Sequence, residues 1–360
     1  MINFDPLNLI PPGHPLLSPD AISLPTLLDV DNRRKLLCQY IWGTDGLPTG
    51  ITLDPTKTQL AFPTAEYQFG AVSNLSSMDT YWCEMPYGMQ SGMYLYHPIE
   101  SNGCLMVYHS GHDAGWVAED ALTNNTDPTQ PGQQYGLVIP TLLKCGFTVL
   151  ALSMPIYGAF RNPTLIVDGV PIQFTDHAQI FQHLEHPFSF FLQPVHQFLN
   201  MLGGGFQRIS MMGLSGGGWT TTLCAAIDPR IQCSYPVASS YPIWLRPGNE
   251  GIGDAEQVWP EFYTIANYTE LYVMGSAGAG RKQLQCLNEH DDCCFYGTRY
   301  LQYAAQVQAA VKALGQGQYD VVLDQTNMHH RVSRTVLSRI LMDHEDVIDP
   351  KRLMKIVAGV

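Results

Sequence analysis

The sequence predicts an α/β fold, a mostly parallel twisted sheet with helices on both faces. Three observations predict it. Short continuous apolar runs alternate with helix-compatible segments, without internal repeats, as strands buried on both faces require. The stretch Arg208–Ala226 reads as strand, sharp turn and helix, with Ser215 at the apex of Gly213-Leu214-Ser215-Gly216-Gly217. Polar clusters rich in histidine and aspartate recur just beyond predicted strands, where the sites of such sheets lie.

Residues 1–71 are rich in proline and turn residues and read as an N-terminal extension packed on the main domain. It holds one helical patch, Asp31–Trp42, with Leu36, Leu37, Tyr40 and Ile41 on one face. Residues 72–360 form the main domain. Asp79–Met85 and Gly92–Tyr96 flank Pro86-Tyr87-Gly88 and read as an antiparallel hairpin. Cys104–Tyr108 and Phe147–Leu152 are buried strands, with a helical segment from about Tyr135 to Lys144 between them. Asp176–Leu202 is helix-compatible, broken by Pro187 and Pro194. Ile231–Val237, Glu270–Met274 and Tyr319–Leu323 read as the remaining strands, and Val332–Met342 closes the chain as a helix.

Composition narrows the function. At 360 residues, 45% hydrophobic and only 14% charged, the chain is globular. A formal charge of -13 argues against nucleic acid or an anionic membrane as the main partner. No apolar run is long enough to span a bilayer, and Met1-Ile2-Asn3-Phe4-Asp5 lacks the basic start of a secretory signal. A cytoplasmic protein is expected, with a mature secreted form left open. The nine cysteines lack metal-finger spacing, and Cys104, Cys145, Cys224 and Cys233 lie in apolar surroundings as small buried thiols. The sequons at Asn74, Asn124 and Asn267 mean little without a secretory route.

A serine hydroxyl is a weak nucleophile that needs exposure, a base and donors for the oxyanion it creates. The strained turn exposes Ser215, its glycines remove Cβ clashes, and the following helix presents free N–H groups. An acid and a histidine should follow at the ends of later strands. Beyond Glu270–Met274 comes Asn288-Glu289-His290-Asp291-Asp292-Cys293-Cys294-Phe295. Beyond Tyr319–Leu323 comes Asp324 and then Met328-His329-His330-Arg331.

With these residues in order, the chain resembles the α/β-hydrolase superfamily over roughly Asp79 to Met342. The GLSGG elbow, the His109-Ser110-Gly111-His112 loop and the late histidine before a terminal helix carry the resemblance. It is also similar to a bacterial branch with the segments Ser215–Thr221 (SGGGWTT), Asp228–Ile231 (DPRI) and Asp291–Phe295 (DDCCF). The resemblance implies Ser215 as nucleophile, Asp291 as acid and His330 as base. Asp292 and Asp324 stay open as rivals for the acid, and His329 for the base. The oxyanion hole would pair the N–H of Gly216 with that of His112, or alternatively Gly111. The side chains of His109 and His112 read as structural, and Trp219 as core.

The function this implies is hydrolysis of a carboxylic ester through an acyl-enzyme, as a carboxylesterase or a deacetylase of a carbohydrate or other small acyl ester. A peptidase or amidase on the same triad and a non-catalytic binding module are the alternatives. The segment at about 238–268 reads as a cap or lid insertion. Its Tyr241, Trp244 and Trp259 are candidates for substrate contact, against a reading as a buried cover over the sheet. No cofactor and no metal are expected. His290 to Cys294 is dense in ligand types, but adjacent residues rarely converge on one ion. Two free thiols at Cys293 and Cys294 are preferred over a vicinal disulfide. Gly275–Lys282 fails as a phosphate-binding loop, because Arg281 intervenes before Lys282 and Gln283 follows it.

Overall fold

The computed structural model describes residues 9–50, 53, 58–59, 74–112, 138–167, 169–246 and 253–358. Eight main strands build one sheet: β1 (Leu75–Glu84), β2 (Gln90–Pro98), β3 (Cys104–His109), β4 (Thr148–Leu152), β5 (Arg208–Leu214), β6 (Cys233–Val237), β7 (Lys282–Asn288) and β8 (Gln318–Asp324). Their spatial order is β1-β2-β4-β3-β5-β6-β7-β8. The β1–β2 hairpin and its contact with β4 are antiparallel, and every pairing from β4 to β8 is parallel. Two-residue strands, Thr58–Gln59 and Phe160–Arg161, extend the sheet at β1 and β2.

The helices are α1 (Leu27–Trp42), α2 (Val138–Lys144), α3 (His177–His183), α4 (Ser189–Leu202), α5 (Gly216–Ile227), α6 (Ala255–Val258), α7 (Pro260–Ile265), α8 (Tyr268–Ser276), α9 (Ala304–Ala313), α10 (Arg334–Met342) and α11 (Pro350–Ala358). Two hydrophobic clusters, one on each face of the sheet, form the core. The larger joins α1, α4, α5, α7, α8 and α9, and the smaller joins α2 and α10. The central strand β3 is buried along its whole length, which is why its sequence is a continuous apolar run.

α1 lies against α5 and α7 and is tied down by two arginines. Arg33 pairs with Glu270 at 2.6 Å, and Arg34 donates to the carbonyls of Ala226 and Met274. Its buried face is Val30, Leu37, Cys38 and Ile41; Leu36, expected inside, is exposed.

Other expectations need correction. Glu270–Met274 is not a strand but the middle of α8, started by a capping box in which Asn267 accepts from the Glu270 N–H. The strand in its place is β7, whose Gln283 and Gln285 hide it from a search for apolar runs. Both are buried and bonded sideways: Gln283 donates to the Ser234 hydroxyl, and Gln285 donates to the Ser240 carbonyl and accepts from the hydroxyls of Tyr303 and Tyr319. Pro194 does not break its helix. α4 runs through it because nearly every side chain from Ser189 to Leu199 is buried, and packing outweighs one lost hydrogen bond. The chain closes with α11, not α10.

Two of the sequon asparagines serve the backbone. Asn267 caps α8, and Asn74, at φ 71°, bridges Glu100 and the Leu143 carbonyl. Asn124 lies outside the described residues. The cysteines Cys104, Cys145, Cys224 and Cys233 are buried thiols as expected, and burial pushes Cys145 up to about 12. Among the described residues no helix is long and apolar enough to cross a membrane.

Candidate active site

In a parallel sheet the carboxyl ends of the strands share one edge, so the loops after β3, β5, β7 and β8 meet there. Ser215 ends β5 and begins α5 with φ 56° and ψ -126°, a conformation that a non-glycine residue rarely holds. Two hydrogen bonds impose it. The Ser215 N–H donates to the Val237 carbonyl at 3.0 Å, and the Ser215 carbonyl accepts from Trp219 at 3.0 Å. The turn also requires close approach. A Cβ on Gly217 would collide with the His109 carbonyl, and one on Gly216 would collide with Met154 and the His112 ring. Trp219 is fully buried, as expected for a core residue, and donates to the Tyr263 hydroxyl.

The loop after β3 lies against this elbow. Burial drives the His109 imidazole down to about 3, so the ring is neutral and its Nδ1 is an acceptor. Gly111 donates its N–H to that Nδ1 at 3.2 Å. The Gly111 N–H is therefore engaged. The Gly111 Cα is close enough that an added Cβ would stand 3.3 Å from the Gly216 nitrogen.

The loops after β7 and β8 sort two aspartates and two histidines into two pairs. Asp291 is buried, and its carboxylate lies 2.9 and 3.0 Å from His330 Nδ1. Three donors hold it there: the N–H groups of Cys293 and Cys294, each at 2.9 Å, and the Asn288 amide at 3.2 Å. Asp292 faces outward and pairs with His329 Nδ1 at 2.8 Å, while its other oxygen accepts the His330 N–H. Burial works against the charged form of Asp292, but His329 and the His330 N–H together outweigh it and hold the carboxyl below its usual range. Asp324 is turned away from both histidines. Its oxygens serve Thr326 and Ser333, the residue that caps α10.

Two readings of the sequence change. The sulfurs of Cys293 and Cys294 are bonded to each other rather than free; the turn that directs both N–H groups at Asp291 sets the side chains next to one another. Tyr241 is fully buried, so it supports the acid loop instead of lining a substrate pocket. Its hydroxyl donates to the carbonyls of Tyr296 and Gly297, and its ring packs on Phe295. Much of the surrounding segment is also buried, including Leu245, Arg246, Val258 and Phe262. Trp244 and Trp259 are half-buried, with Trp259 against Phe181 at 4.8 Å. Sequence reasoning missed His177, Asp254 and Glu256, which gather near His112.

No protein-family model and no curated protein matches the sequence. Solved structures do. Acetyl xylan esterase 1 from Thermoanaerobacterium sp. JW/SL YS485 is similar at a TM-score of 0.52 and 11% identity, over 94% of this chain and 100% of that one. The methylesterase BT1017 is similar at a TM-score of 0.52 and 15% identity, over 91% of this chain and 65% of that one. Likeness at such identities is a likeness of fold. With the eight-strand order, the elbow at β5 and these neighbours together, the chain has the α/β-hydrolase fold.

Proposed function

We propose that the chain is a serine hydrolase that cleaves a small carboxylic ester through an acyl-enzyme. The observation that carries this reading is the pair of buried Asp291 and His330, which stands beyond β7 and β8 on the sheet edge where Ser215 ends β5. The Asp291 carboxylate accepts three N–H donors in addition to the imidazole. A carboxylate only accepts, so the proton between the pair belongs to His330 Nδ1. That leaves the lone pair on Nε2 as the base.

In this reading Ser215 Oγ attacks the acyl carbon as its proton passes to His330 Nε2. The N–H groups of Gly216 and His112 receive the oxyanion, with the N-terminus of α5 adding its dipole. Nε2 then protonates the leaving alcohol, and water clears the acyl group by the same proton path in reverse. Trp244 and Trp259, which keep partial exposure, are proposed for leaving-group contact. A carbohydrate or other small acyl ester is the proposed substrate class. The esterase names of the two fold neighbours fit it by analogy of fold only.

A serine-reactive fluorophosphonate and nitrophenyl esters of rising chain length test the reading. Stoichiometric labelling of Ser215 and fastest turnover of short acyl chains are expected. Folded protein that neither labels nor turns over any ester would sink it.

A further inference from the structure

Four side chains from three separate segments converge beside the loop after β3. His112 ends the described part of that loop, His177 opens α3, and Asp254 and Glu256 stand at the start of α6. One ligating atom from each lies within 4.8 Å of every other. His112 Nε2 is 2.7 Å from Asp254 and 4.0 Å from Glu256; His177 Nδ1 is 3.6 Å from Asp254 and 3.2 Å from Glu256. Donor atoms around a tetrahedral zinc ion, at bond lengths near 2.0–2.2 Å, stand about 3.4 Å apart. The observed separations straddle that spacing.

Two features distinguish this cluster from an ordinary ion pair. Glu256 is fully buried and His177 is 3% exposed. Yet His112 Nε2, His177 Nδ1 and both Glu256 oxygens form no hydrogen bond to any described residue. What faces them is one another, at ion-pair distances. A buried carboxylate in that state is costly unless a cation compensates it. The second feature is the far side of His177, where Nε2 lies 3.1 Å from the Pro155 carbonyl. A carbonyl can only accept, so Nε2 holds its proton, and on the neutral ring, the form that a cation would bind, the lone pair is on Nδ1, the atom in the cluster. Metal-bound imidazoles are held by this same kind of outer partner.

We propose that His112, His177, Asp254 and Glu256 bind one divalent cation of the zinc class. Two imidazoles and two carboxylates suit zinc and its transition-metal neighbours, whereas calcium and magnesium prefer shells of oxygen. Four protein donors fill a tetrahedron and leave no position for water, so the site is structural. Two carboxylates also balance the charge of the ion. Its effect is mechanical: it fastens the loop that carries the His112 N–H to α3 and to the 253–258 segment. Behind Glu256 a further chain holds the backbone, since its carbonyl accepts from Tyr263, which accepts from Trp219 in α5.

The test uses the full chain, stripped with a chelator and reloaded with zinc chloride. Elemental analysis should find one zinc per chain, and zinc should raise the melting temperature. Cobalt(II) in its place should give the visible absorption of a four-coordinate centre. Asp254 is exposed, so Asp254→Asn keeps the fold, and it should weaken zinc by roughly tenfold or more in competition with a chromophoric chelator. Glu256→Gln should abolish the cobalt spectrum. The proposal is overturned if the wild-type protein, folded by circular dichroism, takes up no stoichiometric zinc. Wild-type zinc affinity in both variants would overturn it equally. None of these readouts depends on Ser215, so this test and that of the esterase reading fail separately.

Discussion

His330 Nδ1 lies 2.9 and 3.0 Å from the two oxygens of Asp291, and one residue along, His329 Nδ1 lies 2.8 Å from Asp292. In the inner pair Asp291 is buried and His330 half-buried, while both members of the outer pair are exposed. Asp291→Asn should lower ester turnover by about ten thousandfold, because the amide no longer fixes the imidazole tautomer. Asp292→Asn should leave turnover within its order of magnitude. Steady-state kinetics of the two variants decides, and equal losses would contradict the assignment.

The same geometry separates the histidines. A base must be neutral to accept the serine proton, so turnover should rise with pH as the base loses its proton. His330→Ala should remove that limb with nearly all activity, while His329→Ala should keep a recognisable pH profile. The reverse pattern would transfer the role to His329.

Ser215→Ala should cut turnover by about a millionfold and abolish fluorophosphonate labelling. Its circular dichroism spectrum should match that of the wild type, since the hydroxyl makes no capping hydrogen bond to α5. Full labelling of the variant would refute the nucleophile assignment.

A stability prediction rests on Gln285, whose side-chain oxygen accepts from two buried tyrosine hydroxyls, Tyr303 at 2.8 Å and Tyr319 at 2.7 Å. Gln285→Leu strands both, at about 1–3 kcal/mol each. Denaturant unfolding should show a loss of that order. A change within error would mean that the hydroxyls find other partners.

His344 predicts a pH dependence of stability. Burial, with Arg208 beside it, pushes its imidazole down from 6.5 to about 4. Arg208 only donates, so His344 Nδ1 accepts and Nε2–H faces the Tyr235 hydroxyl at 3.1 Å. The unfolded chain takes up the proton first as pH falls. The stabilisation is therefore complete above pH 6.5 and is lost on descending to about 4, by roughly 3 kcal/mol. Unfolding free energies across that window should show the slope, and His344→Asn should flatten it. An equal slope in the variant would assign it to other groups, such as the buried His109.

The sequence by itself determined the parts governed by local physics. The apolar runs of β3 and β4, the Gly-Leu-Ser-Gly-Gly turn and the chain order of serine, acid and histidine are legible because neighbouring residues alone dictate them. The tertiary structure decided everything that depends on which way a side chain turns. Adjacent Asp291 and Asp292 are equivalent in sequence, and the N–H groups of Cys293 and Cys294 with the Asn288 amide draw one inward. β7 stayed hidden because its buried Gln285 finds its partners in Ser240, Tyr303 and Tyr319, all remote in the chain. α8 passed for a strand because burial on all sides erased its helical period, although Asn267 and Glu270 marked its start. His112, His177, Asp254 and Glu256 form no motif at all, since long-range packing alone brings three distant segments within reach of one another.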